Sequence, residues 1–212
     1  MSSSAVSAAS SAPRAVGVDF WFDPVCPYTW ITSRWLREVE RVRDVQVRWR
    51  VMSLAVLNEG LAVDPEDPEG LYGEYMKAHG RVCAAVRERY GNEALGRYFD
   101  ALGSRVHERQ DWSGMTAALA EAGLPAELES VAMTSEYDAV VRASHDAGTA
   151  LVGTDVGTPV LAVEGAGALF GPVVSPAPRG EAAGRLWDGV VLMAGVRGFH
   201  EFRRSYGEPD FG

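Results

Sequence analysis

The residues most able to do chemistry form a short run near the start of the chain, Cys26-Pro27-Tyr28-Thr29. The run has the spacing of a redox Cys-x-x-Cys motif, but threonine holds its fourth position. A mixed disulfide on Cys26 must therefore wait for an external thiol, because no neighbouring thiol can resolve it. This disfavours dithiol oxidase chemistry. It leaves a monothiol cycle with a small-molecule thiol, or reversible addition of the thiolate to an electrophilic carbon.

The elements around Cys26 predict where its sulfur lies. Residues 16–23 alternate in polarity, which indicates a strand that a proline then ends. Pro27 suits a first helical turn, so we expect a helix that begins at Cys26. Unpaired N–H groups and the macrodipole favour negative charge there, and Thr29 is placed to donate to the sulfur. We therefore expect Cys26 to be a thiolate with a lowered pKa, with Tyr28 lining the approach.

The order of the remaining elements predicts the fold class. Strand, helix and strand over residues 16–51 indicate a parallel crossover. Helix signals without strand signals follow as far as about residue 152. Two short strands, from Val160 to Val163 and from Ala168 to Phe170, flank a Gly-Ala-Gly turn, and a helix from about Glu181 to Val196 ends the pattern. This helix is expected to pack through Leu186, Val190, Met193 and Ala194.

These elements predict an α/β protein with a thioredoxin-like fold and an inserted all-helical subdomain. The expected parts are a disordered leader over residues 1–15, a thioredoxin-like core over 16–60 and 153–212, and a helical insertion, or lid, over 61–152.

Other candidate residues each allow two interpretations. Thr158-Pro159 precedes the third strand and favours a cis bond that faces the cysteine, although it also suits a plain turn. His107 is either a general acid or base near the thiolate, or a surface histidine at a helix end. Cys83 has the pattern of a structural cysteine. In the less favoured interpretation Cys26 is also a small buried apolar residue. The sequence allows a disulfide between the two cysteines. The four histidines lack metal-ligand spacing.

Composition excludes several classes of protein. The chain of 212 residues, 47% of them hydrophobic, is long enough for one sizeable core. Its net charge of -9 and lack of a basic block argue against a nucleic-acid partner. Two cysteines and the absence of a signal-peptide pattern predict a cytoplasmic location, and no apolar run predicts a membrane span. The oligomeric state stays open, a homodimer included.

The chain also resembles the DsbA-like thioredoxin superfamily, in particular its actinobacterial branch of mycothiol-dependent nitroreductase-type enzymes. More distant likenesses are to 2-hydroxychromene-2-carboxylate isomerases and kappa-class glutathione transferases. The likeness runs from about Val18 to Glu208. It is carried by DFWFDPVCP, WITSRW, VMSLAVLNE, SRVH, AEAGLPAEL, DVGTP and FGPVVSPAPRGEAAGRLWD.

The resemblance implies a nucleophilic Cys26, a cis-proline at Pro159, and His107 near the pocket. It further implies mycothiol as the thiol cofactor, bound among Trp21, Pro27, Tyr28, Asn58, Thr158 and Pro159. The departure is at Thr29, where the reductase branch has the second cysteine of Cys-Pro-Trp-Cys. Tyrosine followed by a hydroxyl residue is instead similar to the Pro-Tyr-Ser of the isomerase and kappa branches.

Three functional hypotheses follow. The first is a mycothiol-dependent monothiol enzyme in which Cys26 acts on a small hydrophobic electrophile, by reduction or thiol transfer. The second is a cis/trans double-bond isomerase that adds Cys26 reversibly to a conjugated, polyketide-type substrate. The third is a non-catalytic chaperone or binding protein, which predicts an ordinary thiol pKa.

Overall fold

A four-stranded sheet forms the centre of the protein. The computed structural model describes residues 15–65, 67–205 and 207–212, so the predicted leader lies outside the described residues except for Ala15. The spatial order is β2-β1-β3-β4. β1 pairs with β2 in parallel, whereas β1 with β3 and β3 with β4 are antiparallel. The strands are β1 (Val16–Phe22), β2 (Val45–Val51), β3 (Val160–Val163) and β4 (Ala168–Phe170).

Helices α1 (Pro27–Val42) and α6 (Gly180–Ala194) pack against each other beside this sheet. The indole N–H of Trp35 donates to the carbonyl of Ala183 at 3.1 Å, and its ring contacts Trp187 at 6.3 Å between centroids. The buried face of α6 is centred on Ala183, Trp187 and Val190, and Leu186 and Met193 are only half-buried. The predicted face is therefore correct for Val190, and Leu186 and Met193 also pack against the core, but the prediction missed Ala183 and Trp187.

The rest of the fold is the long helical region predicted between β2 and β3. Its elements are α2 (Leu54–Leu57), α3 (Gly73–Gly103), a π-helical turn (Ser104–Glu108), α4 (Met115–Glu121), a 3-10 helix (Ala126–Met133) and α5 (Asp138–Val152). Gly91 has a φ of 84° and bends α3, a conformation that glycine adopts without steric cost. The mixed α/β fold with an inserted helical region is as predicted. That residues 61–152 act as a lid stays a prediction.

Strand β1 lies in the middle of the molecule and is covered on both faces. On one face Phe22 stacks on Phe99 of α3, with 4.0 Å between ring centroids. On the other face Trp21 packs with Met52 and Val160. Because β1 ends inside the protein, the turn that follows it is held between helices, and that turn carries Cys26.

None of the described helices has the length and apolarity needed to cross a membrane. Within the same described residues, no group of three or more histidine, cysteine or acidic side chains is arranged to hold a metal ion.

Candidate functional site

Cys26 is the N-cap residue of α1, directly before Pro27, the first helical residue. Its carbonyl accepts the backbone N–H of Trp30 at 3.1 Å and thereby starts the helix. The backbone N–H groups of Tyr28 and Thr29 and the Thr29 hydroxyl favour the charged form of its sulfur, although none of them caps the helix by a hydrogen bond to this side chain. The sulfur therefore lies at the helix N-terminus, as the sequence predicts.

Burial nevertheless raises the pKa of the Cys26 thiol to about 11, because the charged form would lose its water. The side chain is only 8% exposed. The hydrogen bonds from Thr29 and Tyr28 lower the pKa, and the charge of Asp23 raises it further. The expected lowered pKa was therefore wrong: at neutral pH Cys26 is a protonated thiol, because desolvation outweighs the groups of Thr29 and Tyr28 that favour its charged form.

Thr29 connects Cys26 to the loop before β3. The hydroxyl oxygens of Thr29 and Thr158 are 3.1 Å apart, and the Thr158 hydroxyl is 3.4 Å from the carbonyl oxygen of Trp21. The Thr158–Pro159 peptide bond is cis, in agreement with the sequence prediction. Among the described residues, no backbone hydrogen bond involves Thr158. Its N–H and C=O therefore have no backbone partner among the described residues, although Thr158 is buried next to Thr29.

His107 lies on the π-helical turn, and its ring is 7% exposed. Its Nε2 is 3.1 Å from the carbonyl oxygen of Pro24. Since a carbonyl can only accept, Nε2 carries a proton and Nδ1 is the free acceptor of the neutral ring. Burial lowers the pKa of His107 to about 4. The hydrogen bond to Pro24 raises this pKa, and the charge of His79 lowers it further. His107 is therefore uncharged at neutral pH, which excludes imidazolium as a resting general acid.

The same imidazole positions its neighbours. It stacks on Trp30 of α1 with 6.1 Å between ring centroids. Gly103 permits this arrangement, because a Cβ there would meet Trp30 at 2.1 Å. His107 thus holds the turn before the cysteine through Pro24 and the first turns of α1 through Trp30. Neither interpretation from the sequence included this positioning role.

Asp23 is a site residue that the sequence analysis missed. Its carboxylate is 1% exposed, and its oxygens accept the backbone N–H groups of Val25 at 2.9 Å and Leu54 at 2.7 Å. The available signal was an acidic residue directly after an apolar strand and before a proline. The alternation over residues 16–23 indicates a strand but does not reveal that Asp23, directly after β1, is buried.

The structure places two predicted pocket residues differently. The Trp21 ring packs against α5, where its Nε1 donates to the Ser144 carbonyl at 2.8 Å. It lines a cavity of about 670 Å³ to which neither Cys26 nor His107 contributes. Trp21 therefore reaches the site only through its carbonyl. Asn58 ends α2 and donates to Asp64 at 2.7 Å, and no described contact joins it to Cys26.

Cys83 lies in the middle of α3 and has no exposed surface. Both cysteines are free, so the long-range disulfide left open by the sequence is not formed. Burial raises the pKa of Cys83 as well, which fits a structural cysteine.

A cysteine at the start of the first helix, a β1-α1-β2 unit with parallel strands, and a cis-proline before an antiparallel pair define a thioredoxin-like fold of the DsbA type. A family model described as mycothiol-dependent nitroreductase Rv2466c matches residues 25–204. The chain belongs to this Rv2466c-like family, which confirms the predicted resemblance.

Individual relatives agree with this assignment. A Mycobacterium tuberculosis protein described as uncharacterized, Rv2286c, is 32% identical over 198 residues, which cover 91% of this chain and 84% of the relative. A Streptomyces coelicolor structure assigned as a DsbA oxidoreductase matches with a TM-score of 0.51 and 20% identity over 82% of this chain and 89% of that one. A Nitrosomonas europaea structure assigned as a protein disulfide isomerase matches with a TM-score of 0.53 and 17% identity. The match covers 84% of this chain and 98% of that one. The two structures support the fold alone.

Proposed function

We propose that the protein is a monothiol enzyme in which Cys26 attacks a small hydrophobic electrophile, with mycothiol as the thiol cofactor. The reaction is a thiol-dependent reduction or a thiol transfer. The observation that carries the proposal is the position of one sulfur: Cys26 is the N-cap residue of α1, where Tyr28 and Thr29 favour its charged form, while the fourth motif position offers a hydroxyl.

The residues around Cys26 support nucleophilic attack even though its pKa is raised. In the resting protein the proton stays on the sulfur because the site is dry. As negative charge develops on the sulfur, the N–H groups of Tyr28 and Thr29 and the Thr29 hydroxyl stabilise it without rearrangement. In a thiol transfer, Cys26 forms a disulfide with one sulfur of a substrate disulfide and its proton passes to the departing sulfur. A high-pKa thiolate is also the more nucleophilic one once formed.

The site fits a low-molecular-weight thiol with an amide group. Thr158 presents an unused backbone N–H and C=O on the side of Cys26 that Thr29 contacts, and these groups suit an amide next to a sulfur. When bound, mycothiol supplies the second thiol that Thr29 does not provide. With no second thiol near Cys26, the protein depends on such a molecule for each turnover.

One observation also favours a second candidate function, double-bond isomerisation. Cys26 is enclosed beside a hydroxyl, and Cys83 is sealed in the core, so no protein disulfide is available to carry electrons. Isomerisation needs none: Cys26 adds to a conjugated alkene, the resulting single bond rotates, and elimination restores the alkene and the thiolate. Atoms and electrons balance without a reductant.

The test follows substrate, product and thiol together. Full-length protein is incubated with mycothiol and either a mixed disulfide of mycothiol with a small aromatic thiol or a conjugated ketone, and intact mass is recorded. We expect an adduct on Cys26 and, with the mixed disulfide, turnover that consumes mycothiol, forms its symmetric disulfide and releases the aromatic thiol. Cys26→Ser should lose the adduct and turnover, whereas Cys83→Ala, a cysteine variant distant from the motif, should keep both.

The outcomes separate the candidates. An isomerised alkene with no thiol consumed supports the second candidate and overturns the first. Full turnover by Cys26→Ser means that another sulfur attacks and refutes both. Tight ligand binding with no turnover and no adduct indicates the non-catalytic binding protein.

A further inference from the structure

Residues 207–212, here named the tail segment, lie across the entrance to the site. The Tyr28 hydroxyl donates to the Gly207 carbonyl at 2.7 Å, and the Asp210 N–H donates to the Ser175 hydroxyl at 2.8 Å. The Phe211 ring stacks on His107, with 6.3 Å between centroids and 27° between planes. A flat hydrophobic side chain of the protein itself therefore occupies the space next to His107.

Aromatic rings surround that space. Trp112 also contacts His107, edge-on, with 6.3 Å between centroids. Trp112 is 48% exposed and Phe211 is 37% exposed, so both lie at the mouth of the site rather than in the core. Aromatic pairs at 4.5 to 7 Å attract one another beyond their buried area. Together His107 and Trp112, with Tyr28 holding the tail segment through its hydroxyl, define a slot suited to a planar ring, here named the ring slot.

A polar cavity of about 570 Å³ lies beyond Phe211. Three of its arginines already have carboxylate partners: Arg34 and Arg37 share Asp100, and Arg41 contacts Glu38. The fourth differs.

That fourth arginine is Arg179. Within residues 15–65, 67–205 and 207–212, no ion pair joins Arg179 to a carboxylate. Arg179 lies next to Gly212: a Cβ added to Gly212 would be 3.3 Å from the Arg179 Nη2. The exposed Arg179 guanidinium lies in the same cavity as Phe211, which Glu38 and Glu108 also line, and it can bind a carboxylate through two parallel hydrogen bonds.

We propose that the ring slot binds a planar aromatic or conjugated group of the substrate, that Arg179 binds a carboxylate attached to that group, and that the tail segment leaves when the substrate enters. Phe211 then marks the position of the planar group. The inference rests on the proposed function only in requiring the reacting atom to meet Cys26. The tail segment is mostly exposed, and among the described residues its hydrogen bonds to other elements are those of Gly207 and Asp210, so its release breaks these two bonds and the stacking of Phe211 on His107.

The test measures binding of unreactive probes by calorimetry, so it is independent of chemistry at Cys26. The probes are 2-naphthoate, 2-naphthamide and cyclohexylacetate. We expect 2-naphthoate to bind about tenfold more tightly than the other two, because it alone has both the ring and the charge. Phe211→Ala should tighten 2-naphthoate binding by roughly three- to tenfold, since the internal competitor is removed.

Arg179→Gln should bind 2-naphthoate no better than 2-naphthamide. Arg197→Gln, a matched exposed arginine outside the site, should behave as the unaltered protein. The proposal is overturned if 2-naphthoate does not bind, if Phe211→Ala binds it equally or more weakly, or if the two arginine variants are indistinguishable. If the probes bind as expected while Cys26→Ser keeps full turnover, the ring slot is supported and the proposed function of Cys26 is refuted.

Discussion

The hydroxyl oxygens of Thr29 and Thr158 lie 3.1 Å apart, so the fourth position of the cysteine motif is hydrogen-bonded to the residue before the cis-proline. Each hydroxyl has a single proton to donate. When Thr29 donates to the Cys26 sulfur, Thr158 donates to Thr29. When the Thr158 proton turns to the Trp21 carbonyl, Thr29 can donate to Thr158 instead. The charge on Cys26 is therefore coupled to the orientation of two hydroxyl groups.

Removing the Thr29 hydroxyl should make Cys26 less reactive. In Thr29→Val the sulfur loses a donor, so its pKa rises further and alkylation by iodoacetamide at pH 8.5 slows by about three- to tenfold. Thr32→Val is the matched control, because the Thr32 hydroxyl is buried on the same helix but donates to the Pro172 carbonyl. Equal rates in the two variants would show that Thr29 does not stabilise the thiolate.

Restoring a second thiol should change the chemistry. In Thr29→Cys the new sulfur takes the position of a hydroxyl that already contacts Cys26, so oxidation should produce an intramolecular disulfide. Mass spectrometry should find the loss of two hydrogens and a linked peptide. Thr32→Cys, further along α1, should form no such link. A persistent free thiol on Cys26 in oxidised Thr29→Cys would contradict the geometry described.

Alkaline pH should activate Cys26 and destabilise the fold together. The folded-state pKa of about 11 exceeds the ordinary value of 9.0, so this thiol's contribution to stability is complete below pH 9 and is lost as pH rises through 11. The loss is at most about 3 kcal/mol for a shift of this size. The alkylation rate of Cys83→Ala should keep rising to about pH 11. A plateau above pH 8.5 would mean that the thiol is not desolvated.

Acid pH should destabilise the protein through His107. Its folded pKa of about 4 lies below the ordinary 6.5, so its contribution to stability is present above pH 6.5 and is lost as pH falls towards 4. The loss is of the order of 3 kcal/mol. His107→Phe keeps the ring but cannot titrate, so its urea-unfolding free energy should fall less between pH 7 and 4.5. His200→Phe alters an exposed histidine and should retain the full dependence. Identical pH dependence in both variants would exclude His107.

Any side chain larger than glycine at position 103 should disturb the contact between α3 and Trp30. Gly103→Ala places a Cβ 2.1 Å from the Trp30 ring, so the ring or helix must shift. We expect a loss of about 1–3 kcal/mol in unfolding free energy and slower turnover, since Trp30 supports His107. Gly189→Ala on α6 meets nothing within 4 Å and should be neutral or stabilising. Unchanged stability in Gly103→Ala would show that this packing is loose.

Local patterns predicted much of the fold. The Gly-Ala-Gly turn correctly marked where β3 ends and β4 begins, and Pro27, directly after Cys26, correctly located the helix start. These features depend on a few adjacent residues and on backbone sterics.

The predictions that failed concern properties that depend on distant parts of the chain. The pKa of Cys26 follows from the desolvation that helices remote in sequence impose, and no window around residue 26 contains that information. The Trp21 ring was misplaced because a central strand is buried on both faces, where alternation does not reveal which face meets the site. The part of the α6 face that was missed, Ala183 and Trp187, contacts Trp35 of α1, which is distant in the sequence.

The π-helical turn at Ser104–Glu108 makes the length of this segment a constraint in its own right. Each helical residue turns the chain by about 100°, so deleting one residue here would restore ordinary α-helical winding and rotate the imidazole away from Pro24. In relatives that keep a histidine at this place in the chain but lack that extra residue, the imidazole should therefore point in a different direction. In alignments of such chains, a one-residue gap in this segment would matter more than most substitutions beside it.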